Sequence, residues 1–299
     1  LKGADLIYEK LIENFINWAQ TRKDVRSAVV IGSRARTDHP ADEWSDLDIV
    51  IVSINPESLI LDTDWVKGID NPWIVFIEST AIGDDLECRV LFEGGYDIDF
   101  AIIPYYKIEK MIEGEIPFEA ADIFCKGVRI LLDKDGILSK LMMKTPTEIT
   151  YQYPSERDFI NLVNDFWYHT VWTAKHLRRG EFFWAKSCCD GHLKGLLVKI
   201  IGWNVKIKRG PQYNIWHRGR FLEEWAELWV LEKLKSAYSY YSEEDIWRAL
   251  FVTMDIFRPL AIETSELLGY QYPQFEDEKA TELVNSFFNE KKLNLREGS

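Results

Sequence analysis

Apolar residues recur at helical spacing from Ala4 to Gln20, where Leu6, Ile7, Leu11, Ile12, Phe15, Ile16 and Ala19 share a side. The spacing predicts an amphipathic helix laid over a sheet. Past it the period shortens. Val25 to Ile31 reads as a strand, Glu57 to Lys67 as a short helix, and Trp73 to Glu78 and Leu86 to Phe92 as strands. Glu93-Gly94-Gly95 is a turn signal, and Tyr96 to Ile103 is the next strand, ended by Pro104 and followed by a short helix through Ile112. Val128 to Leu132 is a last strand, closed by the turn Asp133-Lys134-Asp135-Gly136. Prolines and polar residues interrupt the pattern over Met143 to Pro154, which sets the expected domains at 1–145 and 146–299.

The second half reads as helical throughout. Ser155 and Asp158 have capping-box spacing, with Asp in place of the usual Glu, and open a helix over Asp158 to Arg178 that Gly180 ends. Glu181 to Trp203, Phe221 to Ser236 and Glu243 to Leu268 are further helices, the last capped by Ser242 with Asp245 and kinked or split at Pro259. Thr281 to Lys291 is a short final helix, and Asn294 to Ser299 are expected to fray. The whole is an α+β chain: a mixed sheet flanked by helices, then a helical bundle.

Charge and composition narrow the function classes. A net charge of −13 is the wrong field for a nucleic acid and a suitable one for a cationic small molecule. No apolar run is long enough to span a membrane and no signal-peptide pattern opens the chain, so a cytoplasmic, non-membrane protein is expected. The four cysteines form no C-x-x-C pair, and free thiols in a reducing compartment account for them. The five histidines show no H-E-x-x-H pattern, so a zinc site is not expected.

The chemistry concentrates between Val29 and Val52. A strand runs into Gly32-Ser33, and twelve residues later Asp46-Leu47-Asp48 leads into Ile49-Val50-Ile51-Val52. Gly32 permits a tight turn and close approach, and Ser33 offers a hydroxyl and a backbone N–H at what reads as a helix N-terminus, a place for phosphate oxygens. Asp46 and Asp48, two apart, point to one side and repel unless a hard cation such as Mg²⁺ lies between them. Arg34 is a further candidate phosphate partner. In the later strand Asp97 and Asp99 share a face, with Asp99 the deeper of the two, and two acids at a buried strand's start point to a cation nearby.

Gly32-Ser33 followed by Asp46-Leu47-Asp48 resembles the signature of the nucleotidyltransferase superfamily. Asp99-Phe100-Ala101-Ile102-Ile103-Pro104, Leu131 to Gly136, Asn164-Asp165-Phe166-Trp167-Tyr168, Thr173-Ala174-Lys175-His176-Leu177 and Trp203 are similar to the aminoglycoside 6-adenylyltransferases of the streptomycin type, over most of the chain to about residue 230. That family usually has Asn-Glu-Phe-Trp-Trp where this chain has Asp165 and Tyr168, so the carboxylate here is one methylene shorter. The resemblance implies Mg²⁺-dependent transfer of AMP from ATP to an aminoglycoside hydroxyl, with release of pyrophosphate and antibiotic resistance. It implies that Asp46, Asp48 and Asp99 hold metal, with Asp99 beside the attacking hydroxyl, and that Gly32, Ser33 and Lys175 hold the triphosphate. Asp165, Trp167 and Asp97 are the candidate acceptor contacts, in an active site between the two domains. Two other classes share these residues: an enzyme of the same fold acting on a protein or another small molecule, and a non-catalytic nucleotide sensor. Retention of all three carboxylates argues against the sensor. Monomer and homodimer both stay open.

Overall fold

The computed structural model describes residues 3–36, 39–81 and 83–297, the side chains of 291–297 lying outside that description. The chain divides into two compact units, Leu1–Ile149 and Thr150–Ser299.

In the first unit, α1 (Gly3–Thr21) precedes β1 (Val25–Ile31) and β2 (Leu47–Ser53). Then come α2 (Glu57–Leu61), β3 (Pro72–Ser79), β4 (Leu86–Phe92) and β5 (Tyr96–Pro104), and after them α3 (Tyr105–Glu113), α4 (Phe118–Cys125), β6 (Arg129–Asp133) and α5 (Ile137–Lys144). The strands form one mixed sheet in the order β3-β4-β5-β2-β1-β6. β2 and β5 are its parallel pair, and the other neighbours run antiparallel.

Alternation along the strands sorts residues onto two faces. Leu47, Ile49, Ile51, Ile98, Phe100 and Ile102 turn one way and pack against Leu11, Ile12 and Phe15 of α1. Val29 and Val52 turn the other way, against Ile108 of α3 and Leu138 and Leu141 of α5. On this second face the helices cover the later part of β2, around Val52. Its opening positions belong to the carboxylates.

Much of the recognisable sequence in this unit is structural. Asp133 accepts from the backbone N–H groups of Leu138 (3.2 Å) and Ser139 (2.9 Å), capping α5, and from Ser27 Oγ at 2.9 Å. Lys134 Nζ donates to the carbonyls of Ala19 (2.9 Å) and Arg22 (2.6 Å), closing the C-terminus of α1. Asp135 pairs with Arg26. Helices α4 and α5 were missed in the sequence because each is only eight residues long.

In the second unit the capping box at Ser155 and Asp158 is formed, and it opens α6 (Glu156–Arg178). The stretch expected as one helix from Glu181 is three pieces: α7 (Phe182–Ser187), a π turn over Cys188–His192, and α8 (Leu193–Arg209). The third expected helix is two short ones, α9 (Leu222–Trp225) and α10 (Leu228–Leu234).

Helix α11 (Glu243–Leu268) runs unbroken through Pro259, so the expected split does not occur. Proline deprives the Asp255 carbonyl, one turn earlier, of its helical donor, and Lys233 Nζ stands 3.4 Å from that oxygen instead. Helix α12 (Gln274–Glu297) is longer than predicted. It takes in Asn294 to Glu297, while 298 and 299 lie outside the described residues. Phe166 stacks on Phe257 with ring centroids 3.6 Å apart, at the centre of the bundle core.

Candidate active site

Gly32–Arg34 is a single 3-10 turn, not the start of a longer helix as the sequence suggested. Gly32 has φ +69°, in the left-handed region, and a Cβ built there falls 2.1 Å from Asp48 Oδ2. Glycine is therefore required twice: by the backbone, and by the carboxylate that abuts it. Ser33 Oγ is buried with no hydrogen-bond partner among the described residues, an unmet polar group of the kind a phosphate oxygen would satisfy.

β2 begins at Leu47, so Asp46 stands just ahead of the strand and Asp48 within it. Parallel pairing of β2 with β5 sets Asp48 directly beside Asp99. Oxygens of Asp46, Asp48 and Asp99 all lie within 4.8 Å of one another, half-buried. Three hard oxygen donors at this spacing suit an Mg²⁺- or Mn²⁺-type cation, and the structure supplies the crowding that such a charge would relieve.

Asp99 is constrained by burial as well as by charge, and its carboxyl responds to both. Burial pushes its carboxyl up to about 6, and Asp46, Glu87 and Asp97 add to the rise against the pull of Arg89. Arg89 stands opposite Asp99 on β4, with Nη2 3.4 Å from Asp99 Oδ2, and it also pairs with Glu87 (2.9 Å) and Glu78. Sequence reasoning passed over both Arg89 and Glu87. Their positions, two apart in a strand like the aspartates, were the available signal.

Arg34 does other work than that first suggested for it. Its Nε donates to the Asp46 carbonyl at 3.0 Å and its Nη2 to the Ser45 carbonyl at 2.7 Å, while its guanidinium lies 3.6 Å over the Tyr8 ring. It pins the chain as it enters β2 and so sets where Asp46 points. Asp97 is exposed and accepts from Tyr8 Oη at 3.2 Å.

The remaining candidates belong to the second unit. Trp167 is a core residue, 1% exposed, donating from its indole N–H to Tyr272 Oη at 3.1 Å with Arg258 over its ring. Burial leaves little of it for stacking on a substrate. Lys175 is exposed on α6 and lines a cavity of about 390 Å³ with Asn164, Tyr168, Trp172, Phe275 and Lys279. Asp165 faces two histidines: Oδ1 lies 2.6 Å from His169 Nδ1 and 2.8 Å from His192 Nε2. No helix among the described residues is long and apolar enough to cross a membrane.

Comparison with known proteins follows the same lines. A family profile described as Streptomycin adenylyltransferase matches residues 7–287. The chain is 29% identical over 276 residues to an aminoglycoside 6-adenylyltransferase of Campylobacter jejuni, covering 90% of this chain and 91% of the relative. It is 23% identical over 278 residues to the Bacillus subtilis protein of that description, covering 90% and 94%. A crystal structure of an aminoglycoside 6-adenyltransferase from Bacillus subtilis aligns over 93% of this chain and 97% of that one, at 20% identity and a TM-score of 0.43.

Proposed function

The chain belongs to the streptomycin adenylyltransferase family, and from that premise we propose that it transfers AMP from ATP to a hydroxyl of an aminoglycoside, releasing pyrophosphate. The observation that carries the reading is the carboxylate cluster of Asp46, Asp48 and Asp99 set against the Gly32–Ser33 turn. The relatives named as aminoglycoside 6-adenylyltransferases support the acceptor class, and the net charge of −13 suits a polycationic acceptor.

In this reading Asp46, Asp48 and Asp99 hold divalent cation, Mg²⁺ by the hardness of the donors. A cation held there would supply neutralisation of the triphosphate charge and polarisation of its phosphoryl oxygens. Ser33 Oγ donates to a phosphate oxygen, and Gly32 leaves room for the Asp48 carboxylate beside the turn. Asp99 is the carboxylate that takes the acceptor's proton in this reading. The acceptor oxygen bonds to the α-phosphorus, the bond from that phosphorus to the bridging oxygen breaks, and the hydroxyl proton passes to Asp99. Arg89, 3.4 Å away, favours the ionised form of Asp99. Arg34 is a positioning residue that acts through the Ser45 and Asp46 backbone.

The test is pyrophosphate release by the purified chain with ATP, Mg²⁺ and a panel of aminoglycosides that includes streptomycin. Release with at least one member, absent without acceptor, is expected. Release with none of them contradicts the proposed acceptor class.

A further inference from the structure

The second unit holds a side-chain cluster to which the transfer chemistry proposed above gives no part, although the sequence made one member, Asp165, a candidate acceptor contact. Asp165 and His169 are one helical turn apart on α6 and so share a face. His192 comes from elsewhere, as the last residue of the π turn between α7 and α8. A π turn accommodates one more residue than an α turn, which re-aims the side chains beyond it, and such turns recur at functional sites. Here His192 arrives with its ring centroid 4.2 Å from that of His169. Both rings converge on one oxygen, Asp165 Oδ1, at 2.6 and 2.8 Å. His169 Nδ1 is also 3.0 Å from the Asp165 backbone carbonyl.

We propose that Asp165, His169 and His192 bind a divalent transition-metal ion of the zinc class. The donor atoms all lie within 4.8 Å of one another. Donors at the tetrahedral angle around such an ion, each about 2.1 Å from it, stand about 3.4 Å apart, so the two short gaps need to open by about 0.6–0.8 Å, within reach of small side-chain rotations. Two ring nitrogens and a carboxylate oxygen from two separate elements thus come close enough to surround one ion. Among the described residues no lysine or arginine pairs with Asp165 to compete for it.

The three side chains are 31–43% exposed, which gives an ion a route in and leaves positions for water. Two imidazoles and one carboxylate favour zinc, cobalt or nickel over Mg²⁺, the reverse of the all-carboxylate cluster on the sheet. Without metal the carboxylate only accepts, so both facing ring nitrogens carry hydrogens, and binding must displace them. The ion would clip α6 to the π turn. The absence of an H-E-x-x-H pattern hid the site, because His192 lies 23 residues beyond His169 and only the bundle brings them together.

The experiment uses the full chain, free of any polyhistidine tag and stripped with EDTA, carrying Asp48→Asn to disable the sheet cluster. Titration with Zn²⁺ by calorimetry, and with Co²⁺ by its visible absorption, is compared with the same protein carrying in addition His169→Ala, His192→Ala or His192→Gln. We expect one Zn²⁺ per chain, a Co²⁺ spectrum typical of nitrogen ligation, and a rise in Tm with Zn²⁺. Each histidine substitution should weaken the affinity at least about tenfold and abolish the Tm rise. Unchanged stoichiometry and affinity in all the histidine variants would place the ion elsewhere and overturn the proposal. So would the lack of any Zn²⁺ binding tighter than about 1 mM.

Discussion

Gly32 shows how one residue couples the turn to the carboxylates. A methyl group there would meet Asp48 Oδ2 at 2.1 Å and would sit on a left-handed backbone that a Cβ disfavours. Gly32→Ala should therefore cost about 1–2 kcal/mol of stability and lower turnover by an order of magnitude or more as Asp48 is pushed aside; thermal melts and rate measurements check the two effects separately. Asp99 gives a pH signature. Its carboxyl rises from 3.8 to about 6 in the folded chain, so the fold holds this proton more tightly than the unfolded chain does. The stability it contributes is full below pH ~4 and is lost as pH rises through about 6. Divalent metal competes with the same proton, so metal affinity should climb from about pH 5 to pH 7. In Asp99→Asn both trends should flatten in this window, read by melts of metal-free protein and by Mn²⁺ titration. The facing of Asp48 and Asp99 was legible because side chains alternate along a strand, whereas that of Asp46, just ahead of β2, is set by the loop. The true partners of Arg34 were not, because backbone carbonyls leave no mark in a sequence.

The strands and long helices followed hydrophobic period, and the misses were elements whose cause is tertiary. The π turn and the two-part helix near Trp225 arise where packing overrides a continuous helical pattern. Helix α12 has a weak apolar stripe and was underestimated, because part of what holds it is polar. Arg258 on α11 grips Asp277 through Nε (2.8 Å) and Nη2 (2.8 Å), Tyr272 Oη donates to Asp277 at 2.7 Å, and the Asp277 side chain is only 4% exposed. Arg258→Ala leaves a buried carboxylate without its cation, so it should destabilise the second unit by about 3–5 kcal/mol. Arg258→Lys should recover part of the loss, since a point charge replaces the two-pronged grip. Denaturant titration of the full chain reads both; a loss within about 0.5 kcal/mol of zero for Arg258→Ala would mean that α12 is held by its apolar contacts alone.

At the scale of the molecule, an acidic chain carries a carboxylate cluster at the head of two parallel strands and a helical unit of similar length. If the acceptor is a polycation, the field should speed its capture, and salt should weaken that help as the screening length falls to about 10 Å at 0.1 M. The kcat/KM for the aminoglycoside should fall severalfold between low and physiological salt, while that for ATP, an anion, should not fall with it. The decisive measurement follows label from the α-phosphate of ATP into the aminoglycoside, in wild type and in Asp99→Asn, with ATP binding measured on the same preparations. Label should enter the acceptor with wild type and be all but lost with Asp99→Asn, with ATP still bound by the variant through Asp46 and Asp48. Label transfer at the wild-type rate by Asp99→Asn would remove Asp99 from the reaction and contradict the three-carboxylate account.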